Sequence, residues 1–214
     1  MNEYHKINTI FKRDMEHGAK IMEGVFSDPE VEFLKDNQWI FTEKVDGTNI
    51  RVMWNGESVV LGGKTDNAQI HVKLLYSLQA LFEGTRKRQL FRTIFTDATE
   101  VCLYGEGYGA SIQSGGKYIA DRTSFVLFDV KIGNIWLERT NVEDIASKFG
   151  IKVVPIVGKG TILDAVEMTH KGFISQWGDF ISEGLVLRPK VELLTRRGVR
   201  VITKIKHKDF YDQP

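Results

Sequence analysis

Glu43-Lys44-Val45-Asp46-Gly47-Thr48-Asn49 is the stretch of this chain whose residue types and spacing best suit chemistry. A lysine held rigidly at a strand end and partly screened from water can offer a neutral amine, and a neutral amine is a nucleophile. Lys44 is expected in such a setting. Alternating apolar runs flank it at residues 39–42 and 50–54, and Asp46-Gly47 beside it is a turn signal. Read alone, Lys44-Val45-Asp46-Gly47 fits an ordinary hairpin with a solvated lysine at least as well, because short motifs recur by chance. Other candidates fall away. Gly105-Glu106-Gly107-Tyr108-Gly109 lacks the spacing of a dinucleotide fingerprint, and Gly158-Lys159-Gly160-Thr161 lacks the upstream glycine of a phosphate loop. The five histidines have no ligand spacing, and Cys102 is the only cysteine, which excludes an intrachain disulfide and a multi-cysteine zinc site.

These residues need strands and turns to hold them. Residues 50–54 and 58–61 flank Asn55-Gly56, the strongest short hairpin signal, so with residues 39–42 three antiparallel strands are expected around Lys44. Ser27-Asp28-Pro29-Glu30 predicts a short helix through Phe33 and Leu34, while Ile7, Ile10 and Phe11 suggest a helical lead-in. Ile70, Leu74, Leu78, Leu81 and Phe82 keep helical spacing up to Gly84, and Leu90 and Ile94 with Arg86, Lys87, Arg88 and Arg92 predict a second helix with one basic side. Residues 101–104 read as a strand entering a glycine-lined turn at Glu106, and residues 124–130 as a strand partnered by Trp136-Leu137. A helix closed by Gly150, an edge strand at 151–157 containing Pro155, and a helix capped by Thr161 follow. Two alternating segments, 183–187 and 199–205, are joined by a basic loop. The pattern predicts one α+β domain over residues 1–214, with mainly antiparallel sheets and flanking helices, a lead-in at 1–38 and a catalytic core at 39–210.

With 42% hydrophobic and 27% charged residues, the 214-residue chain has the composition of a globular protein with a substantial core. No apolar run reaches membrane-spanning length and no signal peptide opens the chain; with one cysteine this predicts a cytoplasmic protein. The net charge of +1 hides a polarity. Residues 188–208 hold eight basic residues against the single acid Glu192, a net +7, which predicts a basic groove suited to a phosphate backbone. Arg188, Arg196, Arg197 and Arg200 are its candidate contacts, extended by Arg51 and Lys64.

In chain order the sequence reads Lys44-Val45-Asp46-Gly47, Tyr104-Gly105-Glu106-Gly107, Phe125-Val126-Leu127-Phe128-Asp129, Ser182-Glu183-Gly184-Leu185-Val186-Leu187-Arg188 and Thr203-Lys204-Ile205-Lys206. Together and in this order these resemble the motifs of the covalent nucleotidyltransferases: ATP-dependent DNA ligases, RNA ligases and mRNA capping enzymes. Within that superfamily the chain looks most like the RNA ligases of T-even bacteriophage type. Asn49 stands where DNA ligases usually carry arginine, and both Gly109-Ala110-Ser111-Ile112-Gln113 and Arg200-Val201-Ile202-Thr203-Lys204-Ile205-Lys206 resemble RNA ligase segments.

The resemblance implies a nucleotidyltransferase domain of the ATP-grasp-like ligase type. Lys44 would attack the α-phosphorus of ATP, form a lysyl-AMP, and pass AMP to an RNA 5′-phosphate for sealing to a 3′-hydroxyl. Lys204 and Lys206, on one face of a strand, would neutralise the α-phosphate, and Glu183 would ligate a divalent cation, magnesium or manganese. Glu106 would bind ribose and Phe128 stack on adenine, with Glu43, Asp46, Gly47, Thr48, Asn49 and Lys64 completing the nucleotide site. Lys64-Thr65 departs from the family's arginine-threonine pair and loses a bidentate phosphate grip. The chain stops at Pro214, so a lone catalytic domain is expected, with no oligonucleotide-binding barrel or C-terminal helical domain, relying on a partner domain or protein for some steps. A DNA or nick ligase and a catalytically inactive nucleotide- or RNA-binding module are the alternative readings.

Overall fold

The computed structural model describes residues 3–98 and 100–211, which fall into two compact units, one of residues 3–5 and 46–154 and one of residues 6–45 and 155–211. The chain starts with β1 (Asn8–Thr9), β2 (Phe11–Asp14) and β3 (Lys20–Phe26), then α1 (Pro29–Phe33) and β4 (Trp39–Glu43). Next come β5 (Thr48–Trp54), β6 (Val59–Gly62), α2 (Val72–Phe82), α3 (Thr85–Phe95), β7 (Val101–Gly109), β8 (Thr123–Ile132), β9 (Ile135–Trp136), α4 (Arg139–Phe149) and β10 (Lys152–Val153). The return adds β11 (Ile156–Gly160), α5 (Ile162–Lys171), β12 (Gly184–Pro189), β13 (Thr203–Lys206) and α6 (Lys208–Tyr211). Among the described residues no helix is long and apolar enough to cross a membrane.

The first unit is built on a sheet ordered β10-β8-β7-β5-β6, with β9 also on β8 and only β10 running parallel to its neighbour. Ile50, Val52 and Trp54 occupy alternate positions of β5 and face a core with Leu74, Leu78 and Phe82 of α2, Phe91 and Phe95 of α3, and Phe149 of α4. β7 runs straight through the glycines that the sequence suggests as a turn, which puts Glu106 in mid-strand. A Cβ on Gly105 would lie 2.2 Å from the Phe125 ring, so the glycine makes room for an aromatic core residue within a strand.

The second unit centres on the sheet β1-β13-β12-β4-β11, antiparallel except for β1 against β13. Its core gathers Ile10, Phe11, Val31, Trp39, Phe41, Ile162, Leu185, Leu187 and Ile205. The helical lead-in is not formed. The edge of β13 takes up residues 8–9 as a parallel strand, and the Ile10 N–H just after it donates to the Lys204 carbonyl at 2.9 Å. Nor do the strands on either side of Lys44 form a hairpin: β4 pairs with β12 and β11, while β5 pairs with β6 and β7. The chain changes unit at Val45-Asp46 instead. The edge strand expected at 151–157 is two strands, β10 and β11, divided at Pro155, which cannot donate to a ladder.

Candidate active site

In the second unit, β4, β12 and β13 lie side by side, and Lys44, Glu183 and Lys206 come together at one end of them. Lys44 follows directly on β4, where its backbone N–H donates to the Gly184 carbonyl at 2.9 Å. Glu183 immediately precedes β12, and its own carbonyl accepts the His207 N–H at 2.9 Å. The Glu183 carboxylate is thereby aimed at both lysines: Lys44 Nζ donates to Oε2 and Lys206 Nζ to Oε1, each at 2.7 Å. All three side chains are largely buried, 11–24% exposed, so these charge-assisted bonds are poorly screened. One carboxylate between two ammonium groups leaves a net positive site, suited to an anion. Lys204 shares the Lys206 face of β13, as the strand alternation requires, and is half-buried.

Gly184 permits the arrangement. Its φ is +153°, and a Cβ there would sit 2.1 Å from the Ile205 carbonyl oxygen and 2.7 Å from Lys206 Cα. Behind Lys44, Glu43 is 1% exposed, and its carboxylate accepts from Ser175 Oγ at 2.6 Å and from the Gln176 N–H at 2.9 Å.

In the first unit, the face of the sheet turned away from the core gathers a second group. Asn49 pairs with Glu106 and Arg51 with Tyr104 across β5 and β7. Asn49 Oδ1 is buried without a hydrogen-bond partner, an acceptor that a ligand donor would satisfy. Phe128 is half-buried at an irregularity in the β7–β8 register and meets Tyr4 edge-on, ring centroids 5.1 Å apart. Tyr4 also contacts Tyr104, and its hydroxyl donates to Oδ2 of the fully buried Asp129 at 2.5 Å. Burial pushes the Tyr104 phenol above its usual range. Thr48 shares the pleat of Ile50 and Val52, not that of Asn49. Asp46 and Gly47 form the bend before β5, where the Asp46 N–H donates to the Tyr118 hydroxyl at 3.0 Å.

The model of the RNA ligase family matches residues 37–206 of the 214, well over half of the chain. The chain belongs to the RNA ligase family. No curated protein matches it. Solved structures do. It is similar to the Naegleria gruberi RNA ligase as an arginine-to-alanine variant with ATP and manganese, at TM-score 0.67 and 16% identity, covering 100% of this chain and 59% of that one. An apo aspartate-to-alanine variant gives TM-score 0.64 at 15% identity, with 98% and 59% coverage. The structure with pyrophosphate gives 0.62 at 19% identity, with 96% and 58% coverage. At these identities the likeness is one of fold, and this RNA ligase family member spans about three-fifths of those chains.

The basic residues assigned to a groove have separate fates in this RNA ligase family chain. Arg51 is fully buried, donating from Nε to the Gly63 carbonyl at 2.8 Å and from Nη2 to Asp66 at 2.7 Å, so it is not a surface contact for phosphate. Arg200, 4% exposed, forks onto Glu192 at 2.6 and 2.8 Å and braces its own loop. Arg188 is half-buried on β12, whereas Lys64, Arg196 and Arg197 are exposed on turns. Sequence reasoning missed Tyr4, Asp129, Ser175 and Gln176. Tyr4 and Ser175 sit outside every periodic segment, and nothing local marks them as partners of residues more than a hundred positions away.

Proposed function

We propose that this chain is an ATP-dependent RNA ligase that works through Lys44. The observation that carries the reading is the Glu183 carboxylate held between Lys44 and Lys206 at 2.7 Å on each side, within a chain of the RNA ligase family. Lys44 Nζ attacks the α-phosphorus of ATP; a P–N bond forms as the P–O bond to pyrophosphate breaks. The amine must first lose its proton, and Glu183 Oε2 is an acceptor in reach. Lys206 and Lys204 present cations for the α-phosphate charge that grows during transfer. AMP then passes to an RNA 5′-phosphate, and attack by a 3′-hydroxyl seals the strand and releases AMP.

Among the described residues no group of three or more His, Cys, Asp or Glu side chains is placed to hold a metal ion. A magnesium-type cation keeps several waters and takes phosphate oxygens, so the single carboxylate of Glu183 fits it. When bound, magnesium or manganese would supply further positive charge at the phosphate. Solved structures named for the Naegleria gruberi RNA ligase with ATP and manganese, or with AMP and manganese, support this choice. In the first unit we assign Glu106 to the ribose, Phe128 to adenine, and Asn49, with Asp46 and Gly47, to the nucleotide, while Thr48 lies on the opposite pleat; Lys64 there, and Arg188, Arg196 and Arg197 in the second unit, remain for phosphates. RNA ends are the substrate, a separate partner domain or protein assists, and the setting is cytoplasmic.

The test is incubation with α-labelled ATP and magnesium, then denaturing electrophoresis and intact mass, on protein first stripped with pyrophosphate. A label that survives denaturation, adds one AMP and vanishes in Lys44→Ala is expected. Retention of label in that variant would overturn the nucleophile, and reversible ATP binding without an adduct would favour a binding module. Parallel RNA and DNA nicks separate the two ligase activities.

A further inference from the structure

We propose that Glu43 is a positioning residue for Lys44, acting through Ser175 and Gln176 and not through a nucleotide; the inference rests on Lys44 being the nucleophile. Neighbouring strand residues point to opposite faces, so Glu43 projects away from the side of β4 that carries Lys44. Its carboxylate is 1% exposed, and each oxygen already has a donor, Ser175 Oγ at 2.6 Å and the Gln176 N–H at 2.9 Å. A buried carboxylate is tolerated only with such donors, and at 1% exposure Glu43 has no open side for a ligand, whereas the Glu183 side chain keeps 11% of its surface exposed.

What the donors belong to gives the contact its purpose. Residues 173–182 fold back on themselves: the Ser175 N–H donates to the Phe180 carbonyl, the Ser182 N–H to the Phe173 carbonyl, both at 2.9 Å, and Ile174 bridges Ile181. This arm runs directly into Glu183. The Ser175 hydroxyl gives its proton to Glu43 and accepts the Trp177 N–H at 3.1 Å, which fixes its rotamer. Glu43 therefore ties the residue before Lys44 to the arm that ends in the carboxylate Lys44 touches. Where reacting groups must be held to within a fraction of an ångström, that tie sets the Lys44–Glu183 separation.

The experiment compares Glu43→Ala, Ser175→Ala, the double variant and Glu43→Gln by single-turnover adenylylation across ATP concentrations, with hydrogen exchange of residues 173–183 read in parallel. Glu43→Ala should slow the saturated rate by about 10- to 100-fold with an apparent ATP KM changed by less than about threefold, the pattern of lost alignment and not of lost binding. Ser175→Ala should slow it by about tenfold, and the double variant should be no slower than Glu43→Ala, because both changes break one contact. Glu43→Gln should restore most of the rate, since its amide oxygen can accept from the Gln176 N–H while its NH2 donates to Ser175 Oγ. Exchange should quicken over 173–183 in Glu43→Ala. A weakened ATP KM at unchanged saturated rate, or additive Glu43 and Ser175 effects, would overturn the proposal in favour of a nucleotide contact. If wild type forms no adduct, the ligase reading fails, and unchanged exchange in the arm would independently remove the tie.

Discussion

Gly184→Ala puts the steric reasoning about the lysine cluster to its hardest test. The new methyl carbon would lie 2.1 Å from the Ile205 carbonyl oxygen, which is backbone and cannot swing aside. Reaching even 3.0 Å requires β12 and β13 to part by about 0.9 Å, at the pair where Gly184 faces Lys206. Overpacking of this kind costs about 1–3 kcal/mol, and the positive φ adds roughly 1 kcal/mol for a residue with a side chain. Because the same movement carries Lys206 away from Glu183, and a misplacement of about 1 Å at reacting groups costs on the order of 100-fold, adenylylation should fall by about two decades in protein that remains folded. Gly150→Ala is the matched control. Its φ of +69° closes α4, with nothing within 4 Å of an added Cβ, so it should cost about 1 kcal/mol and leave adenylylation untouched. Urea unfolding of both variants, with single-turnover labelling at 25 °C, decides the matter. Equal stabilities and equal rates for the two would refute the claim that the β12–β13 approach at Gly184 sets the site.

Two further outcomes are expected. Burial pushes the Cys102 thiol up to about 11, so at pH 8 it stays protonated in the folded chain; a disulfide reagent should label it only after denaturation, and fast native labelling would contradict its place in β7. Replacing Arg196 and Arg197 by alanine should leave thermal stability unchanged, since both side chains are exposed on a turn, yet flatten the salt dependence of RNA binding by up to about 1.4 in log–log slope, roughly 0.7 for each single-strand phosphate contact. An unchanged slope would move the phosphate path elsewhere.

The ordered motifs named Lys44, Glu183 and Lys206 together, and the structure brings both lysines within hydrogen-bond reach of the Glu183 carboxylate. It was the family resemblance that grouped them; strand alternation placed only Lys204 and Lys206 on one face, and the pairing of β4, β12 and β13 that brings the strand ends together is seen only in the structure. What failed is what local pattern cannot encode. An Asp-Gly bend between two apolar runs suits a hairpin and a passage between units equally well, so β4 and β5 were open to mispairing. Glu106 seemed to sit on a turn because glycine is read as freedom, when Gly105 serves the bulk of Phe125 on the neighbouring strand. Counting charge could not show that Arg51 and Arg200 spend theirs internally. Alternation along β5 does set Arg51 on the pleat opposite Ile50 and Val52, but only the placement of Gly63 and Asp66 shows that this pleat is covered there.

The interrupted path of the second unit also sets an order of assembly. Residues 46–154 form a nearly continuous unit with its own apolar core and can collapse while synthesis is still under way, whereas β4 must wait for β11 and β12, and β1 for β13. Glu183 and Lys206 leave the ribosome about 140 and 160 residues after Lys44. On the proposed function, a nascent chain carries Lys44 without Glu183 and Lys206 beside it until β12 and β13 have emerged, and only then can the three side chains meet.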